Sequence, residues 1–196
     1  MKKLTLTAAI VITFAAAASA QLRTVTDYFL AMPNDVYSTD ASGTKLTTKA
    51  AITKYRRSLI KIEDIKNGFI RLEGSWEGWA DIALFKKKDG SYLVAHAETG
   101  CGPACSGFVK FYTVNAGIWT DVTGSVFKEL TDVDAAKAFN RRKSEEDETA
   151  SVDDFNFYYI LPREGRTIKA ACNQCTESDD LTIAEWDFDG AKFTRK

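Results

Sequence analysis

Trp79-Ala80-Asp81-Ile82-Ala83-Leu84-Phe85, the basic step Lys86-Lys87-Lys88, the pair Asp89-Gly90 and the run Ser91-Tyr92-Leu93-Val94-Ala95-His96-Ala97-Glu98 together decide the fold. Two apolar runs flank an Asp-Gly pair. Gly takes positive φ without steric cost and Asp tolerates it, so the pair suits a tight hairpin. The arrangement recurs at Asn67-Gly68, Ala116-Gly117, Glu164-Gly165 and Asp189-Gly190, each flanked by β-branched or aromatic residues that favour a pleated surface. Five such turns imply about ten strands, expected near residues 59–65, 69–75, 79–87, 91–98, 106–114, 117–123, 155–161, 166–172, 181–188 and 191–195.

The strand from Trp79 to Phe85 carries Ile82 and Leu84 on one face and Ala83 and Phe85 on the other. A sheet with one wet face does not fit that pattern, because alternate side chains point to opposite faces. The expectation is a mainly β (α+β) domain, an antiparallel up-and-down meander that is barrel-like or strongly curved, with two or three short helices supplying further cover.

The helices are predicted within residues 24–58. Thr24 and Asp27 have capping-box spacing ahead of Tyr28-Phe29-Leu30, and Pro33 ends that run. A second helix begins near Thr47 or Thr48, with Ala51, Ile52, Tyr55 and Leu59 on an apolar stripe and Lys49, Lys54, Arg56 and Arg57 assigned to the wet face. Residues 37–44 read as the loop between them. One long interruption, residues 124–154, is read as an acidic helical insertion. It contains a helix from Val133 to Lys143 and then Ser144 to Asp154, where six of eleven residues are acidic and none is basic. Like charges in a block repel, so this last stretch is expected to be exposed.

Residues 1–20 have the form of a cleaved leader: Lys2 and Lys3, an apolar run from Leu4 to Ala17, then Ala18-Ser19-Ala20 as a small-x-small cleavage site. The run is shorter than the roughly 20 apolar residues a membrane span needs. Residue 21 is Gln, not the Cys of a lipid attachment site. Cleavage after Ala20 and a periplasmic or secreted, bacterial product are expected, with residues 21–196 forming a single β-rich domain without a membrane span. Losing Lys2 and Lys3 from 26 basic residues leaves 24 against 27 acidic ones. A chain with that balance lacks the excess cation of a nucleic-acid binder.

Four cysteines stand as Cys101-Gly102-Pro103-Ala104-Cys105 and Cys172-Asn173-Gln174-Cys175. In an oxidising compartment an even set pairs. Local bridges, Cys101 to Cys105 and Cys172 to Cys175, are expected over crossed ones, because cysteines whose Cα atoms lie beyond about 7 Å cannot be joined. Tetrahedral zinc and thiol exchange at the Cys-x-x-Cys pair are the alternatives, each short of support: the spacing of the first pair is poor for zinc, and only Lys169 stands close enough to depress a thiol pKa. His96 is the sole histidine. A general base needs a nucleophile or an orienting acid in reach, and the sequence places none beside it. No nucleophile elbow, zincin helix, phosphate-cradling loop or dinucleotide fingerprint occurs. No cofactor and no metal are therefore expected. Trp76-Glu77-Gly78-Trp79 could offer two indoles as a stacking platform or as core caps.

Strand direction adds one constraint. In an antiparallel meander the five glycine turns lie at one end. The Trp76 to Gly78 link, the Cys101 to Cys105 loop, the acidic insertion and the Cys172 to Cys175 loop share the other. Chemically varied loops on one rim are where a rigid scaffold carries its binding residues. The expectation is an exported, non-catalytic binding protein for a small molecule or protein partner, with Trp76, Glu77, Trp79 and His96 as candidate ligand-binding residues. The alternatives are a thiol-redox or carboxylate-dependent secreted enzyme and a structural envelope protein.

Overall fold

The computed structural model describes residues 22–142, 155–172 and 181–196. The leader at 1–20, the acidic run at 144–154 and Cys175 lie outside the described residues.

Helices α1 (Val25–Leu30) and α2 (Lys49–Leu59) precede six strands: β1 (Ile60–Asp64), β2 (Phe69–Leu72), β3 (Gly78–Lys86), β4 (Tyr92–Cys101), β5 (Cys105–Asn115) and β6 (Ile118–Asp121). Helices α3 (Thr123–Val126) and α4 (Asp132–Arg142) follow, then β7 (Tyr158–Ile160), β8 (Thr167–Cys172), β9 (Leu181–Phe188) and β10 (Phe193–Arg195). All five predicted glycine turns join consecutive strands, with φ between 69° and 95° at Gly68, Gly90, Gly117, Gly165 and Gly190. Side chains with a Cβ rarely adopt that region, which is why the turns were readable.

The protein is mainly β, in two open antiparallel sheets. One runs β1-β2-β3-β4-β5-β6 and the other β10-β9-β8-β7. The meander does not close into a barrel: β1 and β6 remain as edges of the larger sheet. The division falls where the insertion separates β6 from β7. Strand β7 begins against β5, where Gly107 N donates to Phe157 O at 3.1 Å. The chain just beyond it reaches the end of β1, where Arg163 Nε donates to Asp64 at 2.8 Å. It therefore crosses the six-stranded sheet instead of extending it.

The six-stranded sheet is covered on both faces, as its doubly apolar strands require. On one side α1 and the segment after it pack Val25, Phe29 and Met32 onto Ile70, Leu72, Ile82 and Val94. On the other, the four-stranded sheet and α4 pack Ile168, Trp186, Phe188 and Phe139 onto Phe69, Phe85, Leu93 and Phe111. Burying each large apolar side chain contributes on the order of 1.5–3 kcal/mol, so the two interfaces hold the layers together.

The N-terminal elements follow their caps. Thr24 and Asp27 form the reciprocal capping box, and Thr48 caps α2 through Ala51 N. One residue departs from the sequence reading. Arg56, assigned above to the wet face, is 1% exposed. Its Nη1 donates to Leu30 O and Met32 O, and its Nη2 to Pro33 O and Val36 O. Ile52, Arg56 and Leu59 are spaced at i, i+4 and i+7, so helical geometry puts the guanidinium on the buried stripe. There it binds carbonyls at and beyond the C-terminus of α1, where a cation is favoured.

The two ends of the β structure differ. At the glycine-turn end Lys88 N donates to Gly190 O at 3.1 Å, and Asn67 faces Glu164. At the opposite end Cys101, Cys105, Trp79, Tyr158, Ile160 and Ala171 form one cluster. The Cys101–Cys105 loop and the end of β8 at Cys172 thus share a rim.

Candidate functional site

The rim is built from two connections. The chain leaves β2, passes Trp76 and Glu77 and turns into β3 at Gly78, whose φ is +127°. A Cβ at Gly78 would lie 2.0 Å from Thr99 O, so close pairing of β3 with β4 demands glycine there. The adjacent hairpin loop between β4 and β5 is closed by the Cys101–Cys105 disulfide, whose Cα atoms are 4.1 Å apart. Cys101 N donates to Glu77 O at 2.9 Å and so ties the two connections together. Cys172 stands at the end of β8. No cysteine is free among the described residues. No group of three or more His, Cys, Asp or Glu side chains that could hold a metal ion occurs among them.

The two tryptophans do not form a shared platform. Gly78 and the alternation of β3 send them to opposite faces of the sheet. Trp79 lies on the face toward the four-stranded sheet, edge-on to Tyr158 at 5.4 Å and under the Arg71 guanidinium at 5.4 Å. That guanidinium in turn holds Asp81 through Nε at 2.8 Å and Nη2 at 2.9 Å. Burial pushes the Asp81 carboxyl above its usual range, while the two hydrogen bonds from Arg71 pull it back. Trp76 goes to the helix-covered face and stacks on Tyr37, with ring centroids 5.9 Å apart. Gly74 makes room for it: a Cβ there would stand 1.9 Å from the indole. Glu77 is exposed on the rim.

His96 lies inside β4, away from the strand end, and is 5% exposed. Its Nε2 meets the Tyr37 hydroxyl at 2.7 Å, and the same hydroxyl reaches Glu98 Oε2 at 3.3 Å. The phenol has one hydrogen. It either donates to His96, or it donates to Glu98 and accepts from His96 Nε2–H. Both orders are compatible with a neutral imidazole. Burial lowers the His96 pKa to about 4, with the Lys110 charge adding to the effect. Glu98, 3.7 Å from Nε2 and 40% exposed in its side chain, remains in contact with solvent, which weakens its hold on a protonated ring. Burial and the Glu98 carboxylate push the Tyr37 phenol far above its ordinary value. Neither ring is poised to exchange a proton near neutral pH. Phe108, 42% exposed, stands edge-on to His96 at 5.9 Å and carries the Lys110 ammonium 5.6 Å from its ring.

No protein-family model matches the chain, and no curated protein matches it. Among solved structures, a domain of an uncharacterized protein from Porphyromonas gingivalis W83 is similar, with a TM-score of 0.59 and 16% identity over 88% of this chain and 97% of that one. That likeness concerns the fold alone.

Of the four candidate binding residues, Trp76 and His96 are brought together through Tyr37, Glu77 stands beside them on the rim, and Trp79 serves the opposite face. Tyr37, Glu98 and Phe108 complete the group and were not singled out from sequence. For Glu98 the signal was available, since residues two apart in a strand share a face. Tyr37 gave none: it sits at φ 47° in a polar loop, a conformation uncommon for any residue but glycine and Asn or Asp.

Proposed function

We propose that the protein is an exported, non-catalytic binding protein that recognises a small molecule or protein partner with the rim opposite the glycine turns. The observation that carries this reading is the preformed rim. The Glu77 and Cys101–Cys105 connections are tied by a backbone hydrogen bond and a disulfide. Behind them Trp76, stacked on Tyr37, and His96, edge-on to the same ring, fix the sheet face. A surface held in place before binding loses little conformational freedom when a ligand docks, so more of the contact energy remains as affinity. The rim presents Glu77, Gly102, Pro103, Ser106 and Phe108 to solvent. The leader-like N-terminus supports export, and the disulfide is compatible with it. Binding is favoured over catalysis because the only imidazole and its phenol partner are committed to each other inside the fold.

A thermal-shift screen of sugars, peptides and lipids tests this. A true ligand at a hundredfold excess over its dissociation constant adds about 2.7 kcal/mol of stability. Glu77→Ala and Phe108→Ala, both on exposed positions, are expected to diminish that shift without lowering the unliganded melting temperature. A ligand whose shift is unchanged in both variants binds elsewhere and would overturn the rim assignment. Hydrolysis of a generic ester, peptide or glycoside by the purified protein would overturn the non-catalytic reading.

A further inference from the structure

A second surface, which meets the rim where Lys110 lies over Phe108, has a different chemistry. Between β5, the chain that follows α3 and the β9–β10 turn lies an open groove of about 750 Å³. Lys110, Lys128 and Lys192 enter it from those three separate elements. None of the three forms a salt bridge among the described residues; the Lys110 ammonium lies over the Phe108 ring, and its charge acts on Asp121 and His96. Beneath them the floor is aromatic and packed. Phe127 and Phe193 are 4% and 6% exposed, with centroids 5.7 Å apart, and both rest on Phe111 at 5.2 and 4.8 Å.

Two acidic residues also line the groove. Asp121 is exposed and accepts from the Thr123 hydroxyl and from Thr123 N at 2.9 Å; those bonds, with the Lys110 charge adding to them, hold its carboxyl below the usual range. Glu129 is the second exposed carboxylate. Three ammonium groups against two carboxylates leave this concave surface with a net positive charge, which favours an anion placed among the lysines. The floor offers Val126 and the small exposed edges of Phe127 and Phe193 to an apolar body, whose removal from water favours binding. We propose that this groove binds an organic anion in which a carboxylate or phosphate group is attached to an apolar body. Lys110, Lys128 and Lys192 hold the charge, and Phe127, Phe193 and Val126 hold the body.

Calorimetric titration of the mature protein with octanoate, octyl phosphate, octanol and inorganic phosphate tests each half of the proposal. The first two share an apolar body and differ in headgroup, so their ranking separates carboxylate from phosphate recognition. Either amphiphilic anion is expected to bind, with an affinity that falls as salt is raised from low to physiological ionic strength. Octanol and inorganic phosphate are expected to bind at least tenfold more weakly. Lys110→Gln, Lys128→Gln and Lys192→Gln, all at exposed positions, should each weaken binding about threefold or more, and Glu129→Gln should tighten it. Lys54→Gln, at an exposed position on α2, should change nothing. Octanol binding as tightly as octanoate, inorganic phosphate matching octyl phosphate, undiminished binding by the triple lysine variant, or no binding by either amphiphile below its micelle concentration would each overturn the proposal.

Discussion

Arg56→Met removes a side chain that satisfies four carbonyls at once. In the native fold the guanidinium donates to Leu30, Met32, Pro33 and Val36 at 2.5–3.1 Å. Hydrogen bonds to a charged group contribute about 1.5–3 kcal/mol each, which would total 6 kcal/mol or more. Against that stands the cost of burying a guanidinium with no carboxylate within salt-bridge distance among the described residues, several kcal/mol. Methionine fills most of the space, and the partly exposed carbonyls can turn to water. The balance is a loss of about 3 kcal/mol. For a domain of this size that corresponds to a fall in melting temperature of about 6–12 °C. Urea unfolding followed by tryptophan fluorescence gives the free energy. A second readout separates this role from simple packing. Arg56 anchors the loop that leads into Tyr37, so releasing it should loosen the hydroxyl from His96 and let the imidazole titrate closer to 6.5 in NMR spectra. A loss under 0.5 kcal/mol, or a large loss with the His96 titration unmoved, would refute the reasoning.

Acidification provides a second test. The folded-state pKa of His96 lies at about 4, below its unfolded 6.5. The unfolded chain therefore binds an extra proton between those values, so this contribution is complete above pH 6.5 and is lost as pH falls to 4. The interval is worth about 3 kcal/mol, and His96→Gln should flatten the pH dependence of urea midpoints over that window; an unchanged slope would remove His96 from the explanation. Gly78→Ala meets both an unfavourable φ and the Thr99 carbonyl, and should destabilise the fold by about 3 kcal/mol or more, measured by thermal unfolding. Opening the five-residue loop with Cys101→Ser and Cys105→Ser together should cost about 2 kcal/mol by the loop-closure estimate, readable in the same assay.

The strands were legible because each turn carries its own local signal. Gly90 and Gly117 announce their hairpins from two residues of sequence, whatever the rest of the chain does. The partition into two sheets was not legible, since nothing in Phe157 or Tyr158 says that β7 will cross β5 in place of pairing with β6. That choice depends on tertiary packing of Phe127, Trp186 and Phe193, which are distant in sequence. The site divided in the same way. Trp76, Glu77 and His96 stood out as residue types, yet their grouping depends on Tyr37, delivered from a loop 59 residues away. Charge type misled at Arg56, where the helical interval from Ile52 and Leu59 was the better guide.

Each sheet of this protein pairs only strands that are neighbours along the chain. The backbone thus forms two self-contained meanders whose main dealings with each other are through side chains. A chain broken in the connection between them would leave every ladder within either sheet intact. The two pieces would carry complementary aromatic faces, Phe85 and Phe111 on one, Trp186, Phe188 and Phe193 on the other. The fold therefore contains the makings of a split protein, in which reassembly reports the packing between sheets separately from the hairpins that form each one.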